Sequence, residues 1–398
     1  MKIVIKHHHS NLKNQNGKIG YVALFLGLYF FLMPFDILRI GNIGSLLRIT
    51  ALFPIAAVAL NFKNIRIKLD KLVCSLLLVL LLYTLSLYIT VSFETTLPVY
   101  KTQLMNFIFI FATGVCHQYN EKEIDFLEHT LVLGSILTAC LTLIYSDWSM
   151  DGRLSLQFDG KTEDPNYLNG YLLFAIAFFF AHLAKEKKFR YFVCCTLLVL
   201  FSLFTGSRGA LLAIAATGGY AFLNQLNQGK AAKIKVFLGI SFAIICIVLF
   251  YDALLSLLPP VIAQRFDIKF IQEHGSTGRT DIWKALLEIY SNAPITRQLF
   301  GFGLSTTTVI NTIRIHGVGY MAHNLWIEQL ISIGLVGLVI FLYMQYIFFK
   351  AAVKQKDVLL ISTYFGFLVM DASLSLTAYK PAWNCMIMIL ILSSHHRK

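Results

Sequence analysis

The chain has 398 residues, of which 57% are hydrophobic and only 14% charged, and its mean hydropathy is +0.67. A soluble domain is nearer half apolar and about one quarter charged, so a soluble globular chain is excluded. The net charge of +13 does not point to nucleic acid, because the basic residues follow a membrane pattern.

An apolar window of about 20 residues crosses a bilayer as a helix. In chain order the sequence predicts such spans at 19–35, 43–60, 72–91, 97–116, 126–145 and 167–184. They continue at 190–205, 208–223, 235–252, 323–349, 357–374 and 381–393. The expected fold is an all-α, polytopic membrane protein of about 12 transmembrane helices, forming one integral domain over 1–398. The first span follows a basic segment but lacks a small-residue cleavage site, so it is expected to stay as an anchor.

With the N-terminus inside, the inner segments hold 21 of the 34 Lys and Arg residues. The short outer loops hold 7, and 6 lie in one long outer loop, 253–322. This excess of inner cations orients the chain with both termini cytoplasmic. The seven cysteines sit in or beside apolar spans without a C-x-x-C pair. They predict neither a disulfide framework nor a metal site. No H-E-x-x-H or P-loop occurs, which leaves a metalloprotease or an ATP-driven pump unsupported.

Two outer loops carry polar chemistry. Loop 146–166 holds five acids and two bases and ends in Asp164-Pro165-Asn166, a turn that starts the sixth span. In loop 253–322, "GSTGRTDIWKALLEIYSNAP" predicts a helix capped by Ser276 or Thr280 and stopped by Pro294. Its apolar stripe of Ile282, Leu286 and Ile289 would lie on the membrane surface or against the bundle. Arg208 falls in the tight outer turn "TGSRG", and His323 begins the tenth span.

These residues together resemble the O-antigen ligase/polymerase family of bacterial membrane glycosyltransferases. The likeness is carried by "SRGA" at 207–210, "GR" at 278–279 with Trp283, "GFG" at 301–303, "HN" at 323–324 and "GLVGL" at 334–338. It covers roughly the second half of the chain, with a core region at 200–345, and "DPN" at 164–166 is similar to many members. The resemblance implies transfer of a glycan from an undecaprenyl-diphosphate carrier to an acceptor hydroxyl, outside the cytoplasmic (inner) membrane. It implies an inverting, metal-independent reaction with no cofactor. Arg208 and Arg279 would hold the diphosphate, and His323 would act as base. Flippase and chain-length regulator proteins would be further partners.

Arginine suits a diphosphate because its planar fork is permanently charged. The competing reading of Arg208 is a helix-end cation reaching lipid phosphate. Arg279 precedes a helix, where a cation opposes the dipole unless an anion sits between them. A neutral His323 could take a proton from a sugar hydroxyl, and His316 is its rival. Arg153, Asp164, Asn166, His316 and Asn324 are the candidate acceptor or sugar contacts. Asp371 and Lys380 flank the last outer loop, either as a pair or as substrate contacts. A polymerase of carrier-linked repeat units is favoured, with a ligase to another acceptor as the alternative. A lipid-linked oligosaccharide flippase is the rival from another class, but the halves of the chain show no internal repeat.

Overall fold

The computed structural model describes residues 19–395 apart from 41–43, 62–64, 66, 68, 150–151, 226–248, 275–277 and 316. Most of the predicted ninth span, together with Cys246, Ser276 and His316, lies outside the described residues. Every other predicted span falls on a helix. The first are α1 (Tyr21–Phe31), α2 (Leu46–Leu60), α3 (Lys71–Ile89), α4 (Phe93–Ile110) and α5 (Glu121–Ile144). The short α6 (Pro165–Leu168) runs through a 3-10 turn into α7 (Leu173–Glu186), followed by α8 (Phe189–Phe204) and α9 (Arg208–Gln225). Three short helices follow, α10 (Tyr251–Ser256), α11 (Pro260–Phe266) and α12 (Ile268–His274). Then come α13 (Arg279–Ser291), α14 (Ile295–Phe300) and α15 (Thr307–Ile310). The chain closes with α16 (Leu325–Gln355), α17 (Val358–Asp371) and α18 (Lys380–His395).

Polar residues start these helices. Ser45, Asp70, Ser92, Asn120, Asn324 and Asp357 each accept a hydrogen bond from a backbone N–H in the first turn, satisfying donors that would otherwise be orphaned. Among the described residues, four helical stretches are long and apolar enough to cross a membrane, namely 71–89, 121–144, 165–186 and 325–355. Shorter apolar helices include α1, α2, α8 and α17. Small residues let them pack closely. A Cβ on Gly366 of α17 would stand 2.0 Å from Thr217 Oγ1 of α9. One on Gly134 of α5 would stand 2.4 Å from the Phe30 carbonyl of α1.

Among the described residues, strand structure is confined to loops. β1 (Arg39–Ile40) pairs with β2 (Gly44–Ser45), and β3 (Ser146–Asp147), β4 (Ser155–Phe158) and β5 (Lys161–Thr162) form a three-stranded antiparallel sheet. The β4–β5 turn is Asp159-Gly160, with φ of 49° and 71°, as the residue pair of a type I′ hairpin requires. β6 (Arg314–Ile315) pairs with β7 (Val318–Gly319).

Contacts between loops gather at two ends. At one end, Phe35 stacks on Phe158, Val91 N–H donates to Phe302 O at 2.8 Å, and Tyr379 Oη donates to Tyr167 O at 2.6 Å. At the other, Gly20 N–H donates to Glu123 Oε1 at 2.9 Å, a ring nitrogen of His395 meets Tyr119 O, and Gln355 Nε2 donates to Ser393 Oγ.

The glycine motifs explain how the long loop docks there. Gly334 has φ +70° inside α16 and breaks its helical path. The carbonyls of Ile331 and Ser332 then accept from the N–H groups of Phe302 and Gly303, at 2.9 and 3.0 Å. A Cβ on Gly334 would lie 2.3 Å from Leu299 O, and one on Gly301 2.5 Å from Ser332 O. Gly334→Ala should therefore cost about 1–3 kcal/mol, from strain at a positive φ and the backbone clash. Thermal unfolding in detergent should show a lower Tm, and an unchanged Tm would mean that the break in α16 is dispensable.

Candidate functional site

The site is built around the carbonyl end of α17. Arg279 Nη1 donates to Ser373 O at 2.9 Å, and Asn324 Nδ2 donates to Ala372 O at 3.0 Å. Gly209, next to Arg208, packs so tightly on Ser373 that a Cβ there would stand 2.2 Å from its Oγ. The N-termini of α9, α13 and α16 thus meet at one turn. Each N-terminus carries partial positive charge, and together they favour an anion.

Arg208 opens α9 after the Thr205-Gly206-Ser207 turn, where Gly206 has φ +62°. Arg279 opens α13. The residue capping this helix is Gly278, at φ 76° and with no side-chain cap. The expectation that Thr280 caps it is corrected, because the helix begins one residue before Thr280. Of the two placements expected for α13, packing against the bundle holds. Ile282 and Leu286 are buried with Phe302, Ala322 and Ile331.

His323 stands just ahead of α16 instead of beginning it. Asn324 is the N-cap, with Oδ1 accepting from Trp326 N at 3.0 Å and Ile327 N at 3.1 Å. His323 itself has φ 48°, a conformation uncommon outside glycine that concentrates at functional sites. Its neighbour Ala322 is pinned from both sides. Trp283 Nε1 of α13 donates to Ala322 O at 2.6 Å, and Ala322 N–H donates to the buried Glu328 of α16. Glu328 also accepts from Thr307 Oγ1 at 2.9 and 3.0 Å.

Burial, and then the charge of Arg279, hold the His323 imidazole below its ordinary pKa, while Asp164 pulls it upward. The ring is therefore neutral at neutral pH. Arg279 is shifted down by burial, partly offset by Asp164, with Arg208 and Arg265 adding repulsion. Burial, with Asp36 and Asp164 nearby, lifts the neighbouring Glu163 to about 8. Asp164 is thus the carboxylate that faces both Arg279 and His323.

The remaining predicted residues divide. Asp164 caps α6, its Oδ1 accepting from both the backbone and side-chain nitrogens of Asn166 at 2.7 Å. Arg153 is only 5% exposed. Its Nε donates to Thr205 O at 2.7 Å and its Nη2 to Asn166 Oδ1 at 2.9 Å. Arg153 and Asn166 therefore tie loop 146–166 to the turn that carries Arg208. Asp371 and Lys380 do not pair with each other. Asp371 accepts from Gln345 Nε2, and Lys380 donates to Asn106 Oδ1, each at 2.7 Å. Sequence reasoning passed over Arg265, Trp283 as the tie to Ala322, and Glu328. Among the described residues, no three His, Cys, Asp or Glu side chains are grouped to hold a metal ion.

Asn324→Ala removes the cap and the bond to Ala372 O together. It should cost about 1–2 kcal/mol, seen as a lower Tm in detergent. Asn324→Asp keeps the capping oxygen and should recover most of that loss. If Asp is no better than Ala, the cap is not what holds the start of α16.

The comparisons with known proteins fall on this region. The family model described as O-Antigen ligase matches residues 191–342, a stretch that holds Arg208, Arg279, His323 and Asn324 but not Arg153, Asp164 or Asn166. No curated protein matches the chain. Among solved structures, one chain comes from work titled "Structural coordination of polymerization and crosslinking by a peptidoglycan synthase complex". It is 12% identical, with a TM-score of 0.48 over 82% of this chain and 98% of that one. At that score the likeness carries no weight. Residues 191–342 of the chain are thus similar to the O-antigen ligase family.

Proposed function

We propose that this protein is a membrane glycosyltransferase that polymerises undecaprenyl-diphosphate-linked repeat units into a surface polysaccharide. The observation that carries the reading is the meeting of three helix N-termini, Arg208 and Arg279 beside a neutral His323. Arg208 and Arg279 bind the diphosphate of the donor. His323 takes the proton from the acceptor hydroxyl as its oxygen attacks the anomeric carbon. The bond from that carbon to the phosphate oxygen breaks on the opposite face, and its electron pair leaves with the diphosphate. The sugar centre inverts. Fixed cations and helix ends stabilise the departing charge without reorganising, which is where such sites gain most of their rate. Asp164 and Asn166 flank the acceptor, and the chemistry needs no metal.

The site faces outward from the inner membrane, with both termini cytoplasmic, in keeping with the charge pattern. Single cysteines placed at 253–322 in a Cys-free background should react with an impermeant maleimide in intact cells. Labelling only after lysis would reverse the orientation.

A ligase that passes the finished glycan to a different acceptor is the second reading, favoured by the description of the matched family. Purified protein given carrier-linked repeat units alone should produce a ladder of longer products. No ladder without an added acceptor, and a single transfer with one, would mean a ligase.

His323→Ala should lower transfer by about 10²–10⁴-fold, as loss of a positioned base does, with the protein still folded and able to bind donor. The base works deprotonated and its pKa is lowered. Activity should therefore persist below pH 6.5 and fall only as pH drops through the lowered value. A few-fold loss in the variant, or an acid limb above pH 6.5, would remove His323 from this role. Activity of His323→Ala together with a dead His316→Ala would move the base to His316.

A further inference from the structure

We propose that Arg153 is a positioning residue that holds the Asp164 carboxylate at a fixed spacing from the turn carrying Arg208. The inference rests on the roles given above to Arg208, Asp164 and His323, and it adds the residue that sets their separation.

The bonds form a continuous chain. Arg153 Nε donates to Thr205 O at 2.7 Å, and Thr205 opens the turn that leads into Arg208. On its other side, Arg153 Nη2 donates to Asn166 Oδ1 at 2.9 Å. The Nδ2 of that same amide donates to Asp164 Oδ1 at 2.7 Å. One guanidinium and one amide therefore join the Arg208 turn to the Asp164 carboxylate. The turn lies directly against the guanidinium, since a Cβ on Gly206 would stand 3.5 Å from Arg153 Nε. Asp164 is placed at the site by its own helix. It caps α6, and Tyr167 of α6 donates through Oη to Ser375 O at 3.4 Å. That carbonyl lies just past Ser373 O, which Arg279 holds. The Asp164 carboxylate accordingly acts on both Arg279 and His323.

The chemistry of the side chain fits this task. Burying a cation is costly unless it is hydrogen-bonded, yet Arg153 is only 5% exposed. So buried, it is poorly placed to meet a substrate. Its planar fork, however, addresses two acceptors at a set angle, which a lysine ammonium on a flexible stem does not. A second strut separates spacing from packing. Asn169 Nδ2 donates to Thr205 Oγ1 at 2.8 Å and to Pro165 O at 2.9 Å, and neither bond involves the Asp164 carboxylate. The consequence of the spacing falls on His323. As the ring takes the acceptor proton it becomes positively charged, and a carboxylate held toward it favours that charged form. Asp164 then stabilises a charge absent from the ground state, which is how a group raises the rate of the chemical step.

The test uses the purified full-length protein in lipid nanodiscs, turning over carrier-linked repeat units across a range of pH. Burial and Arg279 of α13 lower the His323 pKa, and Asp164 raises it. Arg279, and Glu328 of α16 bonded to Ala322, are unchanged in the variants. Asn166→Ala leaves Asp164 with the backbone bond alone, so the acid limb of activity should move to lower pH. Arg153→Lys should move it the same way. Each should lose kcat by up to about 10²-fold, the scale of a misplacement of about 1 Å. Donor KM should stay near wild type in Asn166→Ala, which keeps the bond to Thr205, and rise in Arg153→Lys. Asn169→Ala should lower Tm and leave the acid limb in place. If Asn166→Ala and Arg153→Lys only lower Tm and leave the limb unmoved, Arg153 has a packing role and the proposal is overturned. That result beside a dead His323→Ala would leave the base assignment standing. A His323→Ala protein that keeps its activity and its acid limb removes the base, and the inference falls with it.

Discussion

The carbonyls of Ala372 and Ser373 are the point on which the outer end depends. They close the C-terminus of α17, where unpaired carbonyl oxygens and the negative end of the helix dipole lie. Asn324 and Arg279 satisfy them, at 3.0 and 2.9 Å, and Gly209 packs against Ser373. One helix C-terminus therefore holds three helix N-termini in place. The same contacts that relieve the carbonyls aim three positive ends and two arginines at one volume.

That arrangement requires the long loop to reach the bundle at a fixed depth. Arg297 Nη1 donates to Ile89 O at the end of α3, and Thr96 Oγ1 donates to Leu304 O at 3.0 Å. Between these anchors lies the Gly301–Gly303 stretch, bonded to the carbonyls that the break at Gly334 frees. Glycine is needed at both places because backbone meets backbone where a side chain would sit. The "GFG" and "GLVGL" patterns are thus two halves of one contact. Both glycine motifs help to set where Arg279 and His323 stand.

Much of this was legible in the sequence, for identifiable reasons. Length of apolar run is a local property, so the helices could be read before the fold was known. Arg208, Arg279 and His323 stood out as charged or titratable groups at the edges of apolar segments, and the structure brings them to one end. The approach of Arg265 to the Gly206 turn was invisible because it depends on the docking of α11 there, a contact between residues distant in the chain. Arg153 read as a candidate acceptor or sugar contact, since nothing local says that it is 5% exposed and spans Thr205 and Asn166. The hairpin at 155–162 did carry a signal, the Asp159-Gly160 pair between alternating residues, which the surrounding acidic composition masked.

The His323 backbone shows how the site is kept ready. A positive φ at a non-glycine residue costs roughly 1–3 kcal/mol and persists only where neighbours over-determine it. Here they do, because Ala322 is bonded through its carbonyl to Trp283 and through its N–H to Glu328, while Asn324 is committed to the first turn of α16. Glu328 could not be buried without partners, and Thr307 supplies a further one. The histidine is therefore fixed by residues on α13, α15 and α16 at once. A ring so held has little freedom left to lose, and its low proton affinity follows first from the burial of the same residue.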